Sequence, residues 1–143
     1  MKEKIPEVYN LFVYGSLRKG FHNPAYEYVS RYFDFTGNAK VKGLLVDMGE
    51  YPAAVPSEGD HFIIGELYSL KNPGEFAWAI AQLDDYEGVS VEEGEPQLYR
   101  RELVHVFFDN HTVPAWIYWY NGDVSNRPVV ASGDILQYLA QKK

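Results

Sequence analysis

Phe76, Ile80, Leu83 and Glu87 stand at i, i+4, i+7 and i+11, a spacing that puts all four on one face of an α-helix. Three are apolar and belong against a core. The fourth is a carboxylate on the same stripe, within Leu83-Asp84-Asp85-Tyr86-Glu87-Gly88. A carboxylate facing a protein interior either meets a cation or has its pKa raised by desolvation, and both suit a general acid/base. The other reading is that the last helical turn frays and Glu87 turns to solvent. A second candidate is Gly15 in Tyr14-Gly15-Ser16-Leu17-Arg18-Lys19-Gly20. Glycine after a strand permits a sharp turn and lets a ligand reach main-chain N–H groups, which bind carboxylates and oxyanions. A Gly-Ser pair at a strand end also serves as an ordinary hairpin connection.

Other chemistries lack their residues. The GxxxxGK[ST] spacing of a phosphate loop is missing, and Ser16 is not in a GxSxG elbow. His22, His61, His105 and His111 have no metal-ligand spacing, and the acidic run Glu92-Glu93-Gly94-Glu95 reads as a solvated face, so no metal is assigned. Zero cysteines exclude disulfides, thiolate zinc sites, iron–sulfur clusters and a cysteine nucleophile. In Tyr99-Arg100-Arg101, alternation along a strand turns one Arg inward, where it needs a carboxylate such as Glu66 or Glu102.

The elements that must position these groups follow from pattern. Residues 9–14 are a β-rich run entering a loop. Asn23-Pro24 opens a helix that carries Ala25, Val29, Tyr32 and Phe33 on one face to about Tyr32. Residues 39–48 and 62–70 read as strands, with a loop around Tyr51-Pro52 and Pro56 between them. Asn72-Pro73-Gly74-Glu75 starts a second helix, with Glu75 as reciprocal capping partner and Gly88 as its stop. Residues 89–96 are an acidic loop, 98–108 and 112–120 a hairpin with His111 near the turn, and Ser132-Gly133-Asp134 opens a short last helix ending in Lys142 and Lys143. The fold class is α+β: a curved or closed sheet with two or three short helices on it.

At 143 residues, the chain predicts a polar leader over residues 1–8 and a single domain over 9–143. A domain of this size buries roughly 70% of the surface of its unfolded chain. Twelve Tyr in an aromatic fraction of 16% suit a cavity wall for a polar ligand. With 13 basic against 20 acidic residues and a net charge of −7, the chain repels phosphate backbones and anionic leaflets, so no nucleic-acid or membrane partner is expected. An N-terminus without an apolar stretch predicts a cytoplasmic protein. The sequon Asn110-His111-Thr112 then reads as a turn.

The ordered series Tyr14-Gly15-Ser16-Leu17 with Gly20, Tyr51-Pro52, Gly65-Glu66-Leu67-Tyr68, Leu83-Asp84 with Tyr86-Glu87-Gly88, then Tyr99 and Arg101, resembles the gamma-glutamylcyclotransferase-like family over residues 11 to about 120. The form YGSLRKG with nearby Asn23 is similar to its small gamma-glutamylamine branch. The resemblance implies a compact mixed β-barrel with flanking helices, a pocket at one barrel mouth and no cofactor. It further implies a loop of Gly15, Ser16 and Leu17 that cradles a small γ-glutamyl substrate, and Glu87 as catalytic acid/base. Tyr14, Tyr120 and Trp119 are then either pocket walls or ordinary barrel aromatics. The implied reaction is attack of the substrate's own α-amine on its γ-carbonyl, releasing 5-oxoproline and an amine. General acid/base catalysis contributes about 10²–10⁴-fold, and one oxyanion donor about 3 kcal/mol. The alternative is a module that binds such a ligand without chemistry.

Overall fold

A computed structural model of the chain describes residues 8–15, 26–49, 52–57, 59–87 and 99–141, without the side chains of Tyr28, Asp85, Tyr86 and Glu87. The expected leader up to residue 7, the helix start at Asn23-Pro24 with Ala25, the stop at Gly88, the loop 89–96 and the terminal lysines lie outside the described residues.

The elements in order are β1 (Asn10–Val13), α1 (Tyr26–Tyr32), β2 (Phe33–Lys42), β3 (Leu44–Asp47), β4 (Pro52–Val55), β5 (Phe62–Leu70), a 3-10 turn (Pro73–Glu75), α2 (Phe76–Glu87), β6 (Tyr99–Phe108), β7 (His111–Tyr120) and α3 (Ile135–Gln141). Five strands close a barrel in the order β1-β5-β2-β6-β7. All its pairs are antiparallel except the one that shuts it, where β1 meets β7 in parallel at Leu11↔Trp116. This is the mixed barrel with three short helices that the sequence leads one to expect. β3 and β4 form a separate two-stranded ribbon.

Two strand boundaries differ from the sequence reading. The run 39–48 is two strands in two sheets, parted at Gly43. A Cβ there would stand 2.7 Å from Ile63 and 3.1 Å from Trp119, so only glycine lets the chain turn so close to the barrel wall. β2 also begins six residues early. Phe33 is its first residue rather than part of a helix face; Thr36 is the extra residue between the pairs Phe35↔Tyr68 and Gly37↔Leu67, and the Phe108 ring fills the place of a Cβ on Gly37. β4 was expected as loop because Pro52 and Pro56 flank it. Proline is tolerated as the first residue of a strand, and Pro52 pairs with Asp47 at the ribbon's end.

The remaining elements form for the reasons their sequences suggest. Asn72 caps the 3-10 turn by accepting from the Gly74 N–H at 3.0 Å, and Asp134 caps α3 by accepting from the Leu136 N–H at 3.0 Å. The β6–β7 turn places Asp109 and Asn110 at φ 50° and 66°, the left-handed pair that a two-residue hairpin needs. Barrel strands alternate between two apolar cores. Phe12, Tyr14, Val41, Ile63, Leu67, Ile117 and Trp119 fill the interior with Leu45 and Ala54 of the ribbon and Ile135 of α3. Leu11, Val13, Tyr68, Tyr118 and Tyr120 face outward beneath α1 and α2, packed with Val29, Ile80 and Leu83. No helix among the described residues is long and apolar enough to cross a membrane.

Gly65 of β5 leaves no room for a side chain against β1: an added Cβ would lie 2.2 Å from the Val13 carbonyl oxygen and 2.6 Å from the Phe12 ring. Gly65→Ala therefore destabilises the barrel by about 2 kcal/mol, read as a fall in Tm of several degrees in a thermal melt.

Candidate active site

The barrel register defines one mouth. Because β1 and β7 run parallel from Leu11↔Trp116, Val13 stands level with Tyr118 and Gly15 level with Tyr120. β6 begins at this same end, with Tyr99 paired to Tyr120. β5 contributes Glu66, paired with Val13. The ribbon contributes Pro52, whose Cγ would be 3.0 Å from a Cβ on Gly15. Of the motif residues that the sequence scatters over 11–120, Gly15, Pro52, Glu66 and Tyr99 thus gather at the ends of β1 and β7.

α2 approaches this mouth along the outer wall. At its start Phe76 packs on Tyr9 and Trp116, with ring centroids 5.4 and 6.5 Å apart. Two turns later Asp84 reaches Tyr118, two residues further along β7. Leu83 packs in the same core as Tyr99 and Tyr120. The helix and β7 therefore run in the same direction, and the end of α2 comes toward Tyr120. Its last residue is Glu87. The Glu87 side chain, like Ser16 and Leu17, lies outside the described residues.

Asp84 is buried and held from three directions. Arg101 Nε donates to Oδ1 at 2.8 Å and Nη2 to Oδ2 at 3.2 Å, while the Tyr118 hydroxyl donates to Oδ1 at 2.8 Å. Arg101 and Tyr118 are cross-strand neighbours in the β6–β7 register. The guanidinium also lies over the Trp116 ring, 4.4 Å from its centroid. Of the two arginines, Arg101 is the one covered by α2 on the outer face that it shares with Tyr118, and its partner is Asp84 rather than Glu66 or Glu102. Glu102 instead pairs with Arg100 at 2.7 Å, both side chains partly open to solvent.

Of the other expected pocket residues, Gly15 is buried against Pro52. Tyr14 fills the barrel interior and donates its hydroxyl to the Tyr118 carbonyl oxygen. Trp119 is interior too, whereas Tyr120, one residue on, lies on the helix-covered face edge-on to Tyr99 at 5.5 Å. Sequence reasoning did not single out Asp84, Arg101 and Tyr118 as a linked set. The available signal was that Asp84 follows Ile80 by four residues, and that 101 and 118 pair in the hairpin.

Glu66 is the second buried carboxylate near the mouth. The Tyr68 hydroxyl donates to its Oε1 at 2.8 Å, and the Tyr26 ring of α1 stands edge-on to Tyr68. Burial, then the hydrogen bond and the charge of Glu66, push the Tyr68 phenol well above the ordinary tyrosine range.

The family model described as gamma-glutamyl cyclotransferase, AIG2-like, matches residues 11–137. A Methanocaldococcus jannaschii protein that bears a provisional gamma-glutamylcyclotransferase name is 33% identical over 132 residues, covering 90% of this chain and 96% of that one. The Escherichia coli gamma-glutamylcyclotransferase family protein YtfP is 29% identical over 127 residues, covering 88% and 95%. Among solved structures, Bacillus subtilis YkqA superposes with a TM-score of 0.67 at 27% identity, over 94% of this chain and 43% of that longer protein. A mouse AIG2-like protein shares the fold at a TM-score of 0.62 and 24% identity, over 88% of each chain.

A raised phenol pKa favours the native state while the phenol is protonated. That contribution is complete below the ordinary value near 10 and is lost as pH rises toward the folded-state value. Urea unfolding between pH 8 and 11 therefore gives a stability that falls above about pH 10, and Tyr68→Phe flattens that fall.

Proposed function

The chain belongs to the gamma-glutamyl cyclotransferase, AIG2-like family, and from that premise we propose that it is a cyclotransferase acting on a γ-glutamyl amine or γ-glutamyl amino acid, with Glu87 as its acid/base. One observation carries the reading. The tyrosine before Gly15 and the aspartate one turn before Glu87 both hydrogen-bond to Tyr118, one at its carbonyl and one at its hydroxyl. The proposed oxyanion loop and the proposed base are thereby tied to one residue of one strand.

The chemistry asks for little else. A γ-glutamyl compound brings its own nucleophile, and attack of the α-nitrogen on the γ-carbonyl closes a five-membered ring. Glu87 takes a proton from the ammonium, which frees the lone pair. The C–N bond to the new ring forms, and main-chain N–H groups of Gly15, Ser16 and Leu17 receive the oxyanion. Collapse breaks the bond to the departing nitrogen. Across the reaction two protons pass from the α-nitrogen to the leaving nitrogen through Glu87, and no water is consumed. Holding the substrate curled supplies the orientation that the open chain lacks. Tyr120, with Tyr99 edge-on to it, is proposed as the pocket wall at the level of Gly15. Tyr14 acts from behind the wall. A small-molecule substrate and a cytoplasmic location complete the reading.

Incubation with γ-glutamyl-lysine, γ-glutamyl-alanine, a γ-glutamyl-polyamine and glutathione, with 5-oxoproline detected directly, tests it. Wild type is expected to release 5-oxoproline and free amine from at least one of the first three, and Glu87→Gln to lose about 10²-fold or more in kcat without loss of fold. Saturable thermal stabilisation without product would instead mark a binding module. Full activity in Glu87→Gln would remove Glu87 from its role.

A further inference from the structure

Resting on the cyclotransferase reading, we infer that Asp84 is a positioning residue: clamped by Arg101 and Tyr118, it fixes where the last turn of α2 delivers Glu87, and so sets turnover rather than substrate affinity. The last turn of a helix is its weakest part, because its final carbonyls have no intrahelical partners. α2 has no basic residue in that turn to offset this. Glu87 is the final residue of the helix, the place where unassisted fraying would move a catalytic group most.

Asp84 counters that motion by geometry. It stands three residues before Glu87, hence on the same helical face, and its carboxylate accepts Arg101 Nε at 2.8 Å, Arg101 Nη2 at 3.2 Å and the Tyr118 hydroxyl at 2.8 Å. Three donors from two adjacent strands leave the carboxylate no freedom to swing. The donors are themselves fixed: Arg101 lies over Trp116, and the Tyr118 backbone carbonyl receives the Tyr14 hydroxyl. A helix is stiff enough that fixing the azimuth of one residue fixes the next turn. A misplacement of about 1 Å is enough to cost about 10²-fold in rate. Replacing a buried ion pair by packed apolar groups is often neutral for stability, so retaining one here is better explained by the geometry it imposes.

The test compares wild type with Asp84→Asn and Tyr118→Phe. It uses the best substrate of the γ-glutamyl panel, with kcat expressed per folded molecule, and adds amide hydrogen exchange along α2. Asp84→Asn is expected to lower kcat about 10²-fold with KM within about twofold, and Tyr118→Phe to lower it by a smaller factor in the same pattern. In both, exchange speeds up at residues 84–87 while the β6–β7 amides keep their protection. Should Asp84→Asn not fold, Tyr118→Phe alone decides. A raised KM with unchanged kcat, unchanged kcat and KM in both variants, or unchanged exchange in the last turn would overturn the inference. A wild type that forms no product from any panel member refutes the cyclotransferase reading instead, and the exchange comparison still decides whether the clamp holds the helix end.

Discussion

Asp84 sits where a carboxylate has lost nearly all its water, and it persists there because three hydrogen bonds replace the hydration. Most of what is distinctive in this molecule follows from meeting that demand. Two donors must arrive from adjacent strands, so β6 and β7 must pair in the register that sets Arg101 opposite Tyr118. The helix must descend on β7 at that height, so Phe76 must pack against Trp116 two residues earlier along the strand. Tyr118 must be held level with the end of β1, which the parallel β1–β7 contact and the Tyr14 hydroxyl achieve together. Barrel closure and the placement of α2 are therefore two aspects of one arrangement.

The same device recurs. The three buried acidic residues described, Asp47, Glu66 and Asp84, each accept a hydrogen bond from a tyrosine hydroxyl: Tyr138, Tyr68 and Tyr118 at 2.8 Å in each case. Tyrosine suits this use because its ring contributes to the apolar core while its tip satisfies the acid. The abundance of tyrosine, which from composition suggests a pocket wall, is in good part internal bracing. Asp47 does for the ribbon what Asp84 does for α2: it joins α3 through Tyr138 and also accepts the Gly49 N–H at 2.8 Å, which fixes the bend leaving β3.

How much of this was legible depended on whether a feature is local. β5, opened by Phe62-Ile63-Ile64 and bounded by turn residues on both sides, reads to the residue, as nearly do the hairpin strands around Asp109-Asn110 and the capped start at Asn72. The helical stripe ending at Glu87 is likewise local in its spacing, although its meaning is not. Gly43 defeated the reading because it is required by side chains far away in sequence, Trp119 and Ile63. The same holds for Arg101. Alternation shows that one of two arginines turns inward, but the choice of Asp84 over Glu66 or Glu102 depends on where α2 lands on the barrel, which no short motif encodes. Recognition of the family rested on the order of several weak motifs, of which the barrel brings Gly15, Pro52, Glu66 and Tyr99 to one mouth.

The central claim is that the substrate's own nitrogen, not water, attacks the γ-carbonyl. Turnover of a γ-glutamyl substrate labelled with ¹⁵N at the α-amine, run in H₂¹⁸O and read by mass spectrometry, tests it most directly. The account predicts 5-oxoproline that keeps the ¹⁵N in its ring and gains no ¹⁸O, alongside an unlabelled amine. Free glutamate carrying ¹⁸O in its γ-carboxyl group would contradict it and make the enzyme a hydrolase.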